Sequence, residues 1–238
     1  MRLYVYCLAD AINALPALSG ISGARVDLIK VEDFSLLVSE FKVDAAPPVT
    51  RENALAHAAV VGSVLNETTP LPFRFGTVPT EEQLRSYITS HRDALEAKLA
   101  QVRGCVEMSV KIISNPDDTD LEVADESTQG PGARFLKEKQ RELLGSERRG
   151  EEAKQVAAWL KSQVEIYARQ EEVSLCPTEK LIVAAAHLVA REQVAEYRGR
   201  LAAARKTRSE LHFLVSGPWP PYTFSNIELE FKTQFGVS

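Results

Sequence analysis

Histidines are the first residues to consider for chemistry in this 238-residue chain. The four of them are His57, His91, His187 and His212, and none has a second histidine or a cysteine three or four residues away. A metal site needs two or more such ligands at helical or loop spacing. The sequence therefore predicts no metal ligands. It predicts partly buried rings with one hydrogen bond for His57 and His91, and neutral buried rings satisfied by the backbone for His187 and His212.

The cysteines are the second group of reactive side chains. Cys7, Cys105 and Cys176 are an odd number, lack C-x-x-C spacing and each sit in an apolar run. A thiol in such a run behaves as a small buried hydrophobe, which indicates a reducing compartment. Thiol catalysis by Cys105 with a distant histidine is the alternative, and the position of this cysteine in a strand pattern favours the core.

Motifs that hold phosphates, nucleophiles or zinc are missing from the sequence. It contains no G-x-S-x-G, Walker A, G-x-G-x-x-G or H-E-x-x-H. Glu107 and Lys111 share one face of a predicted strand, and we interpret them as a solvated face or an ion pair with a helix. We therefore predict no catalytic, cofactor-binding or metal-binding residue.

Hydrophobic periodicity predicts an N-terminal α+β domain over residues 1–104. The predicted strands are 2–8, 26–31, 34–41 and 71–77. The predicted helices are 51–67 and 81–102. Glu32 and Asp33 mark a hairpin turn between the second and third strands. The two helices are expected to cover one side of a small sheet.

The remaining sequence predicts a ferredoxin-like domain over residues 105–217. Its pattern is strand 105–113, helix 133–170, strands 172–176 and 181–190, helix 191–205 and strand 211–215. This βαββαβ order predicts an antiparallel sheet with helices on one face. Residues 114–132 are predicted to form a loop, Gly145 and Gly150 to break or bend the long helix, and residues 218–238 to pack back on the domains.

The helix predicted at 51–67 carries an unusual face of small side chains. Thr50 is its expected N-cap, and Ala54, Ala58 and Gly62 recur at a spacing of four. Small residues permit close approach of another backbone. We interpret these three as candidate partner contacts.

Two islands of proline and aromatic residues stand out. The first is Leu71–Thr77, where alternation predicts a strand with its apolar groups on one face and Arg74 on the other. The second is Gly217–Phe224, which fits an edge or surface segment because proline lacks a backbone donor. We expect Trp219 and Tyr222 to anchor a chain reversal; the alternative is a proline-rich ligand for a partner. The motif residues are Phe73, Arg74, Phe75, Gly76, Thr77, Gly217, Pro218, Trp219, Pro220, Pro221 and Tyr222.

Charge and hydropathy exclude some functional classes. The chain has 28 basic and 33 acidic residues, and its net charge of −5 argues against a dedicated nucleic-acid binder. The N-terminal run turns polar at Asp10, and no apolar stretch approaches the roughly 20 residues of a membrane span. These features predict a cytosolic protein without a transmembrane helix.

The two islands, together with Gly104–Lys111, resemble the gas vesicle protein F/L family (GvpF/GvpL). Segments of the forms LPxRFGT, G-x-VE-x-x-VK and GPWPPY-F recur in that family in this order, and the resemblance covers nearly the whole chain. It implies a non-enzymatic accessory or minor structural protein required for gas vesicle assembly. The implied partners are the small, apolar shell protein and other gas vesicle accessory proteins.

The resemblance also suggests a physical role. Shell subunits expose apolar surface before assembly and are then prone to aggregate, so a partner that covers that surface would favour nucleation. The helix at 51–67 and the apolar edges of the sheets are the expected surfaces. The alternative is a small-molecule-binding enzyme built on a ferredoxin-like sheet, because that fold serves many functions.

Overall fold

A computed structural model describes residues 2–13, 18–41, 47–114, 131–176, 178, 181–225 and 227. The chain divides into two compact units. The first comprises residues 1–107 and 218–238, and the second comprises residues 108–217. The predicted loop at 114–132 and the predicted tail at 218–238 fall largely outside the described residues. The domain boundaries predicted from the sequence stay a prediction.

The first unit is built on a four-stranded antiparallel sheet. Its strands are β1 (Arg2–Ala9), β2 (Asp27–Val31), β3 (Phe34–Phe41) and β4 (Leu71–Pro72), in the order β2-β3-β1-β4. From Leu3 to Ala9, every residue of β1 is buried. An unbroken apolar run suits a strand covered on both faces, which explains why β1 lies inside the sheet.

The hairpin turn predicted at Glu32 and Asp33 is confirmed. Val31 pairs with Phe34 across the turn. Glu32 has a φ of 53°, a left-handed conformation that non-glycine residues seldom adopt. The two residues therefore close the shortest loop that can join β2 to β3.

Three helices complete the main part of this unit: α1 (Arg51–Val64), α2 (Glu81–Ser90) and α3 (Arg92–Val102). The single helix predicted over 81–102 is wrong, because the chain departs from helical geometry at His91 (φ −115°, ψ 17°). The backbone amide of His91 donates to the Tyr87 carbonyl, and its ring Nδ1 lies 2.9 Å from the same oxygen. The Tyr87 carbonyl therefore contacts both the backbone amide and the ring of His91 at the residue where α2 ends and α3 begins.

The strand predicted over Leu71–Thr77 is also shorter than expected. Only Leu71 and Pro72 pair in β4. Thr77 then donates its amide and its hydroxyl to the Arg74 carbonyl. Gly76 has a φ of 86°, which a side-chain-bearing residue rarely adopts. A glycine turn therefore replaces the second half of the strand.

The second unit has the predicted ferredoxin-like order. It consists of β5 (Cys105–Ser114), α4 (Pro131–Val164), β6 (Ala168–Leu175), β7 (Leu181–Ala190), α5 (Val194–Thr207) and β8 (Leu211–Trp219). The strand order is β6-β7-β5-β8, and β6 pairs with β7 antiparallel. The α+β fold class is therefore confirmed.

Two details of this unit differ from the prediction. The helix α4 continues through Gly145 and Gly150 and ends at Val164, so residues 168–170 belong to β6 instead. The strand β8 extends past Val215 to Trp219 and includes Pro218. Proline is tolerated there because β8 is an edge strand of the described sheet, where a missing donor leaves no partner unsatisfied.

Candidate functional site on the first unit

The helix α1 has one buried and one exposed face. Its buried side chains are Asn53, His57, Val60, Val61 and Val64. The opposite face carries the exposed residues Ala54, Leu55, Ala58 and Ala59, with Gly62 half-buried. Leu55 is 59% exposed. We name Ala54, Leu55, Ala58, Ala59 and Gly62 the α1 face; it contains all three candidate partner contacts predicted from the sequence.

The N-terminus of α1 is fixed by side-chain hydrogen bonds. Thr50 caps the helix as predicted, because its hydroxyl accepts from the Asn53 amide at 3.2 Å. The Asn53 side chain donates to the Pro48 carbonyl at 3.0 Å and accepts from the Ser22 amide at 3.1 Å. Beside this cap, Val49 is 87% exposed. Val49 thus adds an exposed apolar side chain next to a firmly held helix start.

Beneath the α1 face, His57 lies at the centre of an aromatic cluster. Its Nδ1 shares a 2.8 Å hydrogen bond with the Tyr4 hydroxyl, which also accepts from the Gly76 amide at 3.3 Å. The rings of Tyr4, Phe75 and Tyr222 have centroids 5.8, 5.9 and 6.5 Å from the imidazole. Residues from both proline and aromatic islands therefore meet at one histidine.

Burial controls the protonation of this cluster. It lowers the pKa of His57 to about 4, against a smaller opposing effect from the backbone of Phe73. The other ring nitrogen, Nε2, is buried without a hydrogen-bond partner. Burial likewise raises the pKa of Tyr4 and of Tyr222 above the ordinary value. The cluster is therefore electrically neutral around pH 7, and a proton on His57 would be costly.

The C-terminal island ends in a short helix, α6 (Tyr222–Ser225). Glu107 on β5 holds this helix: its carboxylate accepts from the amide and from the hydroxyl of Thr223, both at 2.8 Å. Lys98 donates to the Ser225 carbonyl at 3.1 Å, and Phe73 forms a parallel bridge with Ile227. These contacts bind the C-terminal segment to the first unit.

Glu107 was interpreted from the sequence as part of a solvated face or an ion pair with a helix, and that interpretation is wrong. The residue is only 8% exposed and is satisfied by Thr223. Burial raises the pKa of its carboxyl group, and the two hydrogen bonds oppose the shift. No local pattern reveals this contact, because the partners are 116 positions apart.

Trp219 is less buried than the anchoring role expected for it implies. Trp219 is 50% exposed, whereas Pro220 and Pro221 are buried. Tyr222, although 40% exposed, reaches the His57 cluster. A proline pair thus takes the buried position that the sequence interpretation gave to the indole.

The other predicted motif residues occupy turns and half-buried positions. Phe73 is buried, Arg74 is exposed, and Phe75 packs against the core that includes Tyr4, Tyr6 and Val60. Gly217 has a φ of 113° at the point where β8 approaches its end. These positions explain the residue types in structural terms.

The remaining reactive side chains are dispersed. Cys7 and Cys105 are buried and Cys176 is half-buried, and burial raises the pKa of Cys7 to about 12. His91 stacks on Tyr87, with ring centroids 4.2 Å apart. In the part of the chain that the structure describes, no group of three histidine, cysteine or acidic residues is placed to hold a metal ion.

The second unit contains a buried histidine that is hydrogen-bonded to a tyrosine. His187 is fully buried, and its Nδ1 lies 2.8 Å from the Tyr197 hydroxyl. Burial lowers the pKa of His187 to about 4, against a smaller attraction from Glu171. The prediction of buried rings is therefore right for His57 and His187, although each leaves Nε2 unsatisfied, and it is wrong for His212, which is exposed.

Comparison with known proteins decides the family. Residues 2–226 match the family described as "Gas vesicle synthesis protein GvpL/GvpF". The chain belongs to this family. Similar GvpL/GvpF relatives include gas vesicle protein F1 of Halobacterium salinarum, 25% identical over 99% of this chain and 98% of that protein. Gas vesicle protein L2 of the same species is 28% identical over 93% of this chain and 90% of that protein.

Solved GvpF structures share the fold. The crystal structure of GvpF from Anabaena sp. PCC7120 superposes with a TM-score of 0.75 at 22% identity, covering 95% of this chain and 97% of that one. The crystal structure of GvpF from Microcystis aeruginosa superposes with a TM-score of 0.72 at 22% identity, covering 95% of this chain and 99% of that one. The chain thus has the GvpF fold. None of the helices in the described residues is both long and apolar enough to cross a bilayer.

Proposed function

We propose that this chain is a non-enzymatic accessory or minor structural protein of gas vesicle assembly, which acts in the cytoplasm or on the vesicle. It binds the gas vesicle shell protein through the α1 face and works with other gas vesicle accessory proteins. The observation that carries this proposal is the exposure of Ala54, Leu55 and Ala58 on one side of a helix whose other side is buried. Membership of the GvpL/GvpF family supports gas vesicle assembly as the process in which the chain acts.

The α1 face suits an apolar protein partner. Alanine and glycine keep the surface flat, so another element can approach the α1 backbone closely, and Leu55 supplies a larger apolar contact. Contiguous exposed apolar surface commonly marks a site of protein–protein contact. Covering apolar surface on an unassembled shell subunit would reduce its tendency to aggregate.

The state of the buried reactive groups is consistent with a non-enzymatic role. His57 is 4% exposed and has a pKa of about 4, so it remains neutral and out of reach of a substrate. Cys7 is fully buried and its thiol is protonated at neutral pH. Acid–base and thiol catalysis require accessible groups that titrate near the working pH.

The test is a charge placed on the α1 face. Ala58→Glu is compared with Ala94→Glu, which puts the same charge on an exposed position of α3 in the same unit. Each variant is co-expressed with the gas vesicle shell protein and purified by a tag, and circular dichroism and thermal unfolding report the fold. We expect Ala58→Glu to lose at least about tenfold of the co-purified shell protein, since a charge must be desolvated on binding.

A second variant guards against misfolding. Leu55→Gln removes the largest apolar contact of the α1 face without adding a charge. If it folds normally and loses binding while Ala94→Glu retains it, the proposal stands. Wild-type recovery of shell protein by well-folded Ala58→Glu and Leu55→Gln would overturn it.

A further inference from the structure

A groove lies between α5 and β8 in the second unit. Its volume is about 780 Å³. All of its lining residues belong to one helix, one strand and the turn between them: Arg198, Leu201, Ala202, Arg205, Lys206, Ser209, Leu211, His212, Phe213 and Val215. The groove is distinct from the α1 face, which belongs to the first unit.

The floor of the groove is apolar. Leu201 on α5 and Leu211 and Phe213 on β8 are buried, while Val215 is 39% exposed. The three β8 residues alternate along the strand, so their side chains point to the same face of the sheet. A ligand in the groove would meet a row of apolar contacts that runs along the strand.

The wall formed by α5 is cationic. Arg198, Ala202 and Arg205 follow one another at spacings of four and three, which places them on one side of the helix. Arg205 and Lys206 are exposed and form no salt bridge with any described residue. Arg198 donates a hydrogen bond to the Gly217 carbonyl. No aspartate or glutamate lines the groove, and Glu210, between the lining residues Ser209 and Leu211, pairs with Arg208.

The strand β8 is an edge of the described sheet. Its inner side pairs with β5, and no described strand lies on its outer side. Pro218 lacks a backbone donor, and the stretch before it that an added strand could pair with is Leu211–Val215. Apolar side chains are exposed along this edge, with Leu214 at 57% and Val215 at 39%. Long edges of this kind are normally protected, because they offer unpaired backbone groups to another chain.

We propose that the groove binds an extended, acidic segment of a partner protein, which adds a strand to β8. In strand addition, backbone hydrogen bonds supply affinity and alternate side chains enter pockets beside the edge. Acidic residues at alternate positions would meet Arg205, Lys206 and Arg198, and the apolar residues between them would cover Leu214. This pattern combines the two features of the groove, its cationic wall and its open strand edge.

The test uses a fluorescein-labelled nine-residue peptide that alternates valine and aspartate, with anisotropy as the readout on the full chain. Two control peptides are needed. One carries lysine in place of aspartate, and the other has N-methylated backbone amides that cannot pair with a strand. We expect saturable binding of the aspartate peptide, at least about tenfold weaker binding of both controls, and weakening by added salt.

A matched pair of variants locates the site. Arg205→Glu with Lys206→Glu reverses two adjacent charges in the groove, and Arg148→Glu with Arg149→Glu does the same on the exposed surface of α4. Only the groove variant should lose binding, by at least about tenfold. Ala58→Glu should bind the peptide normally, so the outcome is independent of the function proposed for the α1 face.

Several outcomes would overturn the proposal. They are no saturable binding, equal binding of the aspartate and lysine peptides, equal binding of the N-methylated peptide, or no effect of the groove variant. Displacement of the peptide by free succinate at comparable concentration would also overturn it, because it would indicate a site for small anions.

Discussion

Glu107 and Thr223 form a two-point contact, in which both oxygens of the buried carboxylate accept from one residue. The donors are the backbone amide and the hydroxyl of Thr223, each at 2.8 Å. Thr223 sits in the short helix that follows the proline pair. The contact therefore ties the proline and aromatic segment to the strand whose sequence carries the middle family motif.

Removing this carboxylate should weaken the first unit. Glu107→Ala leaves the Thr223 donors without their protein acceptor, and we expect the free energy of unfolding to fall by about 1–3 kcal/mol. Glu107→Gln can still accept from the amide and donate to the hydroxyl, so it should cost less than about 1 kcal/mol at pH 7. Urea unfolding measures both; equal midpoints for wild type and Glu107→Ala would contradict the prediction.

The stability difference between wild type and Glu107→Gln should depend on pH. Because burial raises the pKa of Glu107 in the folded state, the folded protein holds this proton to a higher pH than the unfolded chain. The group therefore adds stability as pH falls through its folded pKa, and the gain is complete below its ordinary value of 4.5. On acidification, wild type should therefore gain stability relative to Glu107→Gln.

His57 and His187 should make the protein sensitive to acid. Each has a folded pKa of about 4 against an ordinary value of 6.5. The stability that each neutral ring contributes is complete above pH 6.5 and is lost as pH falls towards 4. At the linkage value for one pKa unit, the loss approaches about 3 kcal/mol per histidine. His57→Gln and His187→Gln should each flatten the fall of the unfolding midpoint between pH 6.5 and 4.

The two tryptophans allow these effects to be assigned to a unit. Trp159 lies in the second unit and Trp219 in the segment assigned to the first. In a Trp159→Phe background, Trp219 is the remaining reporter, and its fluorescence should show the effect of His57→Gln on the acid transition. In a Trp219→Phe background, Trp159 remains, and its fluorescence should show the effect of His187→Gln. An acid transition that stays as steep in either matched combination would contradict the assignment.

The sequence predicted elements better than contacts. Local periodicity was sufficient for β3, β7 and the ferredoxin-like order, because each has a clear apolar pattern of the right period. It failed at His91, where one residue leaves helical geometry, and at Gly76, where a turn ends the regular strand. These are tertiary or single-residue effects that a pattern averaged over many positions does not contain.

The candidate site shows the same division. Spacing alone placed Ala54, Ala58 and Gly62 on one side of α1. It could not establish that this side is exposed, because a small-residue stripe also suits close packing in a core. The meeting of Tyr222 with His57 was equally invisible, since 165 positions separate them. Only the folded backbone brings such residues together.

Trp219 and Tyr222 should differ in their effect on stability. Since Trp219 is half exposed, Trp219→Ala should cost about 1 kcal/mol, well below the roughly 3–5 kcal/mol of a buried tryptophan. Tyr222→Ala removes a ring from the His57 cluster and should cost about 2 kcal/mol. Circular dichroism during urea unfolding gives both values. A larger loss for Trp219→Ala than for Tyr222→Ala would contradict this order.

Two glycines should respond to alanine in opposite directions. A Cβ at Gly20 would lie 2.0 Å from the Tyr6 hydroxyl and 2.8 Å from the Ser39 hydroxyl. Those two hydroxyls bond each other at 2.9 Å, and Tyr6 also accepts from the Ile21 amide at 2.8 Å. Gly20→Ala must disturb this buried network and should lower the free energy of unfolding by about 1–3 kcal/mol.

At Gly62 an added Cβ meets no atom within 4 Å. This residue lies inside α1, where glycine is less favourable than alanine by roughly 0.5–1 kcal/mol, so Gly62→Ala should raise the midpoint of thermal unfolding. Because the new methyl group lies on the α1 face, the variant also probes the proposed contact: if α1 needs close backbone approach, Gly62→Ala should be more stable and yet bind shell protein less well. Gly199→Ala, in α5 with equally open space, is the control that should gain stability without altering shell binding.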